Sequence, residues 1–220
     1  MDTTAAMRGN RWWGVSGIVF AVLFLIGFAL LGDSGETGEE IIAFYDDNRA
    51  RSIIAFLCFA ASALAYIWFT AAVRNVLALA EPEPRGLTAL GYGAGLVTAT
   101  LIVVGAAPAA ALGDTANDAG ANAADAYALV SSMTYPLITI GIGMSSLLAL
   151  AVGLVTLRTG VLPRWFGWAS LVAAPLILVA VLFLPIFVFL LWVATAGVVL
   201  LMRGEATDEG AMERARRAEA

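Results

Sequence analysis

Two sets of hydroxyl side chains are the groups in this chain best suited to hold a ligand. Ser62, Tyr66 and Thr70 follow one another at four-residue spacing, and Ser132, Tyr135 and Thr139 repeat at three and four. On a helix, either spacing keeps a set on one face. Hydroxyls within an apolar wall suit a neutral or lipid-like molecule, which they orient by hydrogen bonds. The plainer alternative is that each bonds a carbonyl of its own helix or bridges to a neighbouring one.

Other chemistry is excluded by residue type. The chain has no His, and all 12 of its basic residues are Arg. Without His there is no His-ligated haem, no His-containing zinc site and no Ser-His dyad. Gly141-Ile-Gly-Met-Ser145 has the look of an intramembrane serine protease, but no His or Lys exists to act as base. Ser145 is therefore expected to be a packing residue. Glu39-Glu40 is similar to the paired glutamates of prenyl-protein proteases, yet Phe44 stands where an Arg is needed. Gly91-x-Gly93-x-Gly95 lies in an apolar run and lacks the strand–helix context of a dinucleotide site. Asp114 to Asp125 resembles a calcium loop only in composition, because Ala116 falls at a ligand position. Cys58 has no second cysteine to pair with and is expected as a small buried side chain. No cofactor and no metal is expected.

The elements that must position these groups are membrane spans. The chain is 61% hydrophobic with a mean hydropathy of +0.88. Its 12 basic and 17 acidic residues lie outside the stretches 12–32, 52–73, 86–113, 126–157 and 165–202. A bilayer core takes about 20 helical residues to cross. The last stretch would be about 57 Å long as one helix, so it is divided at Pro185. The expected fold is all-α: a polytopic bundle of six transmembrane helices at about 12–32, 52–73, 87–111, 131–157, 165–183 and 186–202. Continuous apolar runs disfavour a β-barrel, whose strands alternate in polarity. The first run exceeds the usual length of a signal-peptide core and reads as a retained helix.

Arginine placement sets the expected orientation. With a cytoplasmic N-terminus, Arg8, Arg11, Arg74, Arg85, Arg158, Arg164, Arg203, Arg214, Arg216 and Arg217 are inside, and only Arg49 and Arg51 are outside. Both termini are then cytoplasmic: residues 1–11 form one tail and 203–220 a charged second tail. No ionisable residue falls within a span, which disfavours a proton relay. The absent Lys and abundant Ala suggest a bacterial, GC-rich genome, and hence the bacterial cytoplasmic membrane, with lipid and no nucleic acid as surroundings.

Local signals refine the connections. Thr37-Gly-Glu-Glu40 has the capping-box pattern, and the apolar residues after it predict a short external surface helix near 38–48. Its acids Glu39, Glu40, Asp46 and Asp47 read as a solvated face or, more sharply, a cation-attracting vestibule. Two prolines make Glu81-Pro-Glu-Pro-Arg85 a stiff non-helical linker. Gly91, Gly95 and Ala99, and then Gly141, Ser145, Ala149 and Gly153, form small-residue stripes suited to close helix contact. Pro108 marks a kink or end, while Pro136 and Pro175 mark bends within their helices. Gly160 is suited to end the fourth span at positive φ, and Pro163 to open the fifth.

Gly160-Val-Leu-Pro-Arg-Trp-Phe-Gly-Trp168, together with Glu39-Glu-Ile-Ile-Ala-Phe-Tyr45 and Arg49-x-Arg51, resembles the DUF4386 family of small bacterial membrane proteins. The resemblance covers most of residues 12–202. It implies the membrane architecture and brings no catalytic residues.

The expected function is a non-catalytic membrane protein, not an enzyme, acting as an accessory, sensor or interaction module with a partner membrane protein or as a homo-oligomer. The alternative is binding or transport of a lipid or small apolar ligand between the second and fourth spans, with the six hydroxyls as its lining. An enzyme would have to use loop carboxylates such as Asp46, Asp47, Asp114 and Asp118.

Overall fold

The computed structural model describes residues 3–118, 123–179 and 184–219, with side chains over 14–117, 123–179 and 186–203. Among these residues the regular elements are all helices, without strands. The elements are α1 (Thr3–Leu31), α2 (Gly38–Asp47), α3 (Arg49–Ala78), α4 (Gly86–Thr115), α5 (Ala124–Thr159), α6 (Arg164–Leu178) and α7 (Leu184–Glu219), with a 3-10 turn at Ala116–Asp118. Among the described residues, five segments are long and apolar enough to cross a membrane: Gly14–Leu31, Arg49–Ala78, Gly86–Thr115, Ala124–Thr159 and Ile186–Arg203. α6 is apolar but shorter.

The expected spans differ from these helices mainly at their ends. α3 begins at Arg49 and ends at Ala78, and α5 begins at Ala124, because backbone hydrogen bonding continues past the apolar run. α1 and α7 likewise continue to Thr3 and Glu219. The C-terminal tail is therefore helical as far as it is described. α6 closes at Leu178, short of the expected 183; residues 180–183 lie outside the described part. Pro108, Pro136 and Pro175 all sit inside helices, so none of them ends its helix.

The caps follow the local sequence. Glu40 N–H donates to Thr37 Oγ1 at 3.3 Å, and Thr37 N–H donates to Glu40 Oε2 at 3.2 Å, the reciprocal pair that starts α2. The backbone N–H groups of Thr37 and, next, Glu36 both donate to Glu40 Oε2 and hold its carboxyl below the usual range. Glu39, Glu40, Asp46 and Asp47 are exposed, as a solvated face requires. Gly160 ends α5 at φ 70, its N–H on Thr156 O. Arg51 turns back to donate to Leu30 O at 2.9 Å and Ala29 O at 3.2 Å, serving the carbonyls that α1 leaves open at its end.

The linker after α3 does more than hold its neighbours apart. Glu81 accepts from Leu87 N–H at 3.0 Å and Thr88 N–H at 2.8 Å, so its carboxylate caps the start of α4. Partial burial would raise its pKa. The Thr88 hydroxyl, the two backbone donors and Arg158 outweigh this and hold it low.

Successive long helices pack side by side, α1 on α3, α3 on α4, α4 on α5, α5 on α6 and α6 on α7, and α7 returns to α1. The return is a close crossing. A Cβ on Gly197 would stand 2.7 Å from Gly14 O, and one on Gly14 would stand 2.8 Å from Gly197 O. α5 is the most enclosed span. Its small stripe makes that enclosure feasible: Gly141 abuts Leu101 and Thr98 of α4, and Gly153 abuts Leu171 and Gly167 of α6. In a bilayer such contacts hold helices together by packing, since lipid tails are as apolar as the side chains.

The bundle centre is aromatic. Phe20, Phe24, Phe59, Tyr66, Phe69, Phe189, Trp192 and Phe166 form a continuous set of ring contacts across α1, α3, α7 and α6. A second cluster lies under α2, where Ile41 and Tyr45 meet Ala109, Leu112, Ala116 and Tyr127. Burial raises the Tyr45 phenol, and a hydrogen bond with Ser131 partly offsets this.

Candidate functional site

Tyr66 is fully buried at the middle of α3, where its ring meets Phe20 of α1, Phe69 of α3 and Phe189 of α7. Its oxygen lies 2.7 Å from Ser145 Oγ on α5, and Ser145 Oγ lies 2.9 Å from Thr98 Oγ1 on α4. Thr98 Oγ1 in turn reaches Gly141 O at 2.8 Å and Ala94 O at 3.0 Å.

Carbonyls only accept, which sets the direction of the protons. Thr98 donates to a carbonyl, Ser145 donates to Thr98, and Tyr66 donates to Ser145. This order gives every hydrogen an acceptor. The chain of hydroxyls ties α3, α4 and α5 together in the bundle interior, and no donor is left over for a ligand.

The remaining expected site residues do not gather. Ser62 is buried and donates to Phe59 O at 2.8 Å, and Thr70 donates to Ile67 O at 2.9 Å. Thr139 is buried, with its hydroxyl on Tyr135 O at 2.9 Å and Pro136 O at 3.1 Å. Ser132 is exposed and donates to Leu129 O at 2.7 Å; Tyr135 is 37% exposed on the outer face of α5. The α5 set therefore divides between inside and outside. α4 packs along both α3 and α5, so those two spans touch each other little, and Tyr66 with Ser145 is one place where they meet. A cavity between them lined by all six hydroxyls is not what these residues form. Most of them satisfy themselves on their own helix, the plainer of the two expectations.

Thr98 lies outside both expected hydroxyl sets, and Ser145, expected to pack, also bonds to both Tyr66 and Thr98. The available signal is a hydroxyl placed within a Gly/Ala stripe, where close helix approach brings it to a neighbour's oxygen. Trp192 Nε1–H to Ser170 Oγ at 3.0 Å is a second buried bridge, between α7 and α6. Thr134 and Thr156 depart from the pattern, with buried hydroxyl oxygens that lack a partner. Cys58 is half-buried rather than enclosed.

At the end of the bundle bearing α2, Arg49 pairs with Asp114 at 2.5 Å, which engages one of the loop carboxylates. Asp114 itself lies in the last turn of α4, so the calcium-like segment begins as helix; residues 119–122 lie outside the described part. No group of acids and cysteines able to hold a metal occurs among the described residues.

The family model described as a domain of unknown function (DUF4386) matches residues 12–204, which takes in all the spans and both buried bridges. The chain belongs to the DUF4386 family. No curated protein and no solved structure matches it significantly. In this DUF4386 protein the Gly160–Trp168 segment has a clear structural part. Gly160 ends α5, Pro163 O accepts from Phe166 N–H at 2.9 Å to open α6, and Trp165 and Trp168 are exposed at that end of the bundle.

Proposed function

We propose that this DUF4386 chain is a non-catalytic integral membrane protein that works through contact with a partner membrane protein or with copies of itself. The observation that carries this is the closed hydroxyl chain from Tyr66 through Ser145 and Thr98 to Gly141 O. Ionisable groups at mid-span are the usual markers of a substrate or proton path; the apolar stretches hold none, and the buried hydroxyls lock three helices. The lack of His and Lys points the same way.

We also propose that α6 is the sixth span and that both termini face the cytoplasm of a bacterial cell. Arg203, at the end of the α7 span, donates to Val161 O just before α6, so α6 and α7 together leave that end of the bundle and return to it. Arginine placement then favours this end as the cytoplasmic one. In a Cys58→Ala background, Glu83→Cys should be shielded from an impermeant maleimide in intact cells and Glu39→Cys labelled. The reverse pattern would overturn the orientation.

Native mass spectrometry of protein gently extracted from its host membrane tests the main reading. A defined homo-oligomer or a stoichiometric second protein supports it. A monomer that turns over or stoichiometrically retains a polar substrate rejects it.

A further inference from the structure

The segment from Gly160 to Trp168 contains residues that the fold uses and residues that it does not. Gly160 ends α5, and Pro163 O accepts the first N–H bonds of α6. Phe166 is buried and stacked on Trp192 of α7, and Gly167 lets α6 come close to Thr156 and Leu157 of α5. Arg164, Trp165 and Trp168 are exposed. Trp165 meets Phe166 edge-on and still stands 58% exposed, and Trp168 is 62% exposed. Among the described residues, neither of these two indole N–H groups has a hydrogen-bond partner.

Arg164 differs from the other arginines described at its end of the bundle. Arg74 lies over the Tyr92 ring at 5.3 Å, Arg85 pairs with Glu83 at 3.3 Å, Arg158 stands in the field of Glu81, and Arg203 donates to Val161 O. Among the described residues Arg164 has no hydrogen bond and no ion pair. At the opposite end Glu39, Glu40, Asp46 and Asp47 are exposed and Arg49 is paired with Asp114, so an anion is drawn to the Arg164 end.

Helical periodicity puts Arg164, Trp165, Trp168, Val172 and Leu176 within about one third of the circumference of α6. All five are exposed. Along the axis the cation comes first, the two indoles follow within about 6 Å, and the apolar side chains continue to about 18 Å. A phospholipid has the same order: phosphate, ester carbonyls, acyl chains. An apolar helix of a partner would leave Arg164 without an anion.

We propose that this outer face of α6 holds an anionic phospholipid, with its phosphate on the Arg164 guanidinium, its ester carbonyls at the Trp165 and Trp168 indole N–H groups, and one acyl chain along Val172 and Leu176. A guanidinium donates to two phosphate oxygens at once. Tryptophan sets an apolar ring and a donor at the boundary between headgroup and chain. The lipid lies on the surface of the bundle and needs no space between helices. This inference goes beyond the partner reading above and stands without it, since a lipid on α6 neither requires nor blocks a protein contact elsewhere.

Native mass spectrometry of the full chain, titrated with phosphatidylglycerol or with phosphatidylcholine of the same chain length, tests it. The expected result is one phosphatidylglycerol per chain, held about fivefold more tightly than phosphatidylcholine through the added charge. R164Q should bring phosphatidylglycerol down to the phosphatidylcholine level, and R164K should keep part of the preference, because the charge remains while the fork is lost. R85Q at the same end and R49Q at the other should leave the preference unchanged. W168F should weaken both lipids alike through loss of the indole N–H. Equal binding of the two lipids by the natural chain, a preference that survives R164Q, or one that R85Q removes as fully as R164Q overturns the proposal. Displacement of phosphatidylglycerol by glycerol phosphate would assign Arg164 to a soluble anion and overturns it too.

Discussion

Tyr66 and Ser145 are 79 positions apart in the chain, and their oxygens are 2.7 Å apart in the bundle interior. The bond joins α3 to α5 past the intervening α4, and Thr98 of α4 extends it. Its direction makes the two ends unequal. Tyr66→Phe removes a donor and leaves Ser145 still donating to Thr98, a loss of about 0.5–1.5 kcal/mol. Ser145→Ala strands the Tyr66 hydroxyl in an apolar interior, about 1–3 kcal/mol. Unfolding in detergent should rank Ser145→Ala below Tyr66→Phe in stability, and the double variant should cost less than the sum of the two. The opposite ranking would reverse the proton order.

The crossing of α1 and α7 depends on two glycines. Gly14→Ala and Gly197→Ala each push a methyl into the other's carbonyl oxygen, and overpacking of that kind costs about 1–3 kcal/mol. Gly93→Ala is the contrast. A Cβ there meets nothing within 4 Å, so the change should be neutral or stabilise by about 0.5–1 kcal/mol through helix propensity. Thermal unfolding of the three variants separates close approach from mere glycine content.

Glu81 links stability to pH. Its carboxyl is held below the ordinary 4.5, so the contribution of the ionised cap is present above that value. It is lost as pH falls through the lowered folded pKa, because the unfolded chain takes up the proton first. Unfolding measured from pH 7 downward should show this loss below about 4.5 in the natural chain. Glu81→Gln should be less stable at pH 7 and should lack that component of the acid dependence.

Arg51 caps α1 from the next long helix. Arg51→Ala leaves Ala29 O and Leu30 O without this charged donor, at about 1 kcal/mol. Hydrogen exchange should rise in the last turn of α1 and in the Gly32–Gly35 turn. Protection in the middle of α3 should stay as it was.

Elements whose cause is local could be read from the residues themselves. Thr37 and Glu40 announce the start of α2, Gly160 the end of α5, and the uncharged runs the long spans, because capping, positive φ and lipid immersion each act over a few neighbouring residues. Helix ends were less legible. Arg49 and Ala78 extend α3 past its apolar run, since backbone hydrogen bonding does not stop where hydropathy does. Pro108, which could have ended its helix, lies inside an α4 that runs on to Thr115.

Which hydroxyls would meet was decided by the tertiary structure alone. Ser132 and Thr139 share a periodicity, yet α5 exposes the first and buries the second, because α2, α4 and α6 cover different lengths of it. Ser145 looked like one more small residue. It became the centre of a hydrogen-bonded chain because Gly141 lets α4 approach closely enough for Thr98 to reach it, while α3 supplies Tyr66 from 79 residues away. Composition was enough to place the chain in a membrane and to remove His and Lys chemistry. It could not pair side chains from separate helices, because in lipid that pairing is set by which backbones can come close, a property of the assembled bundle.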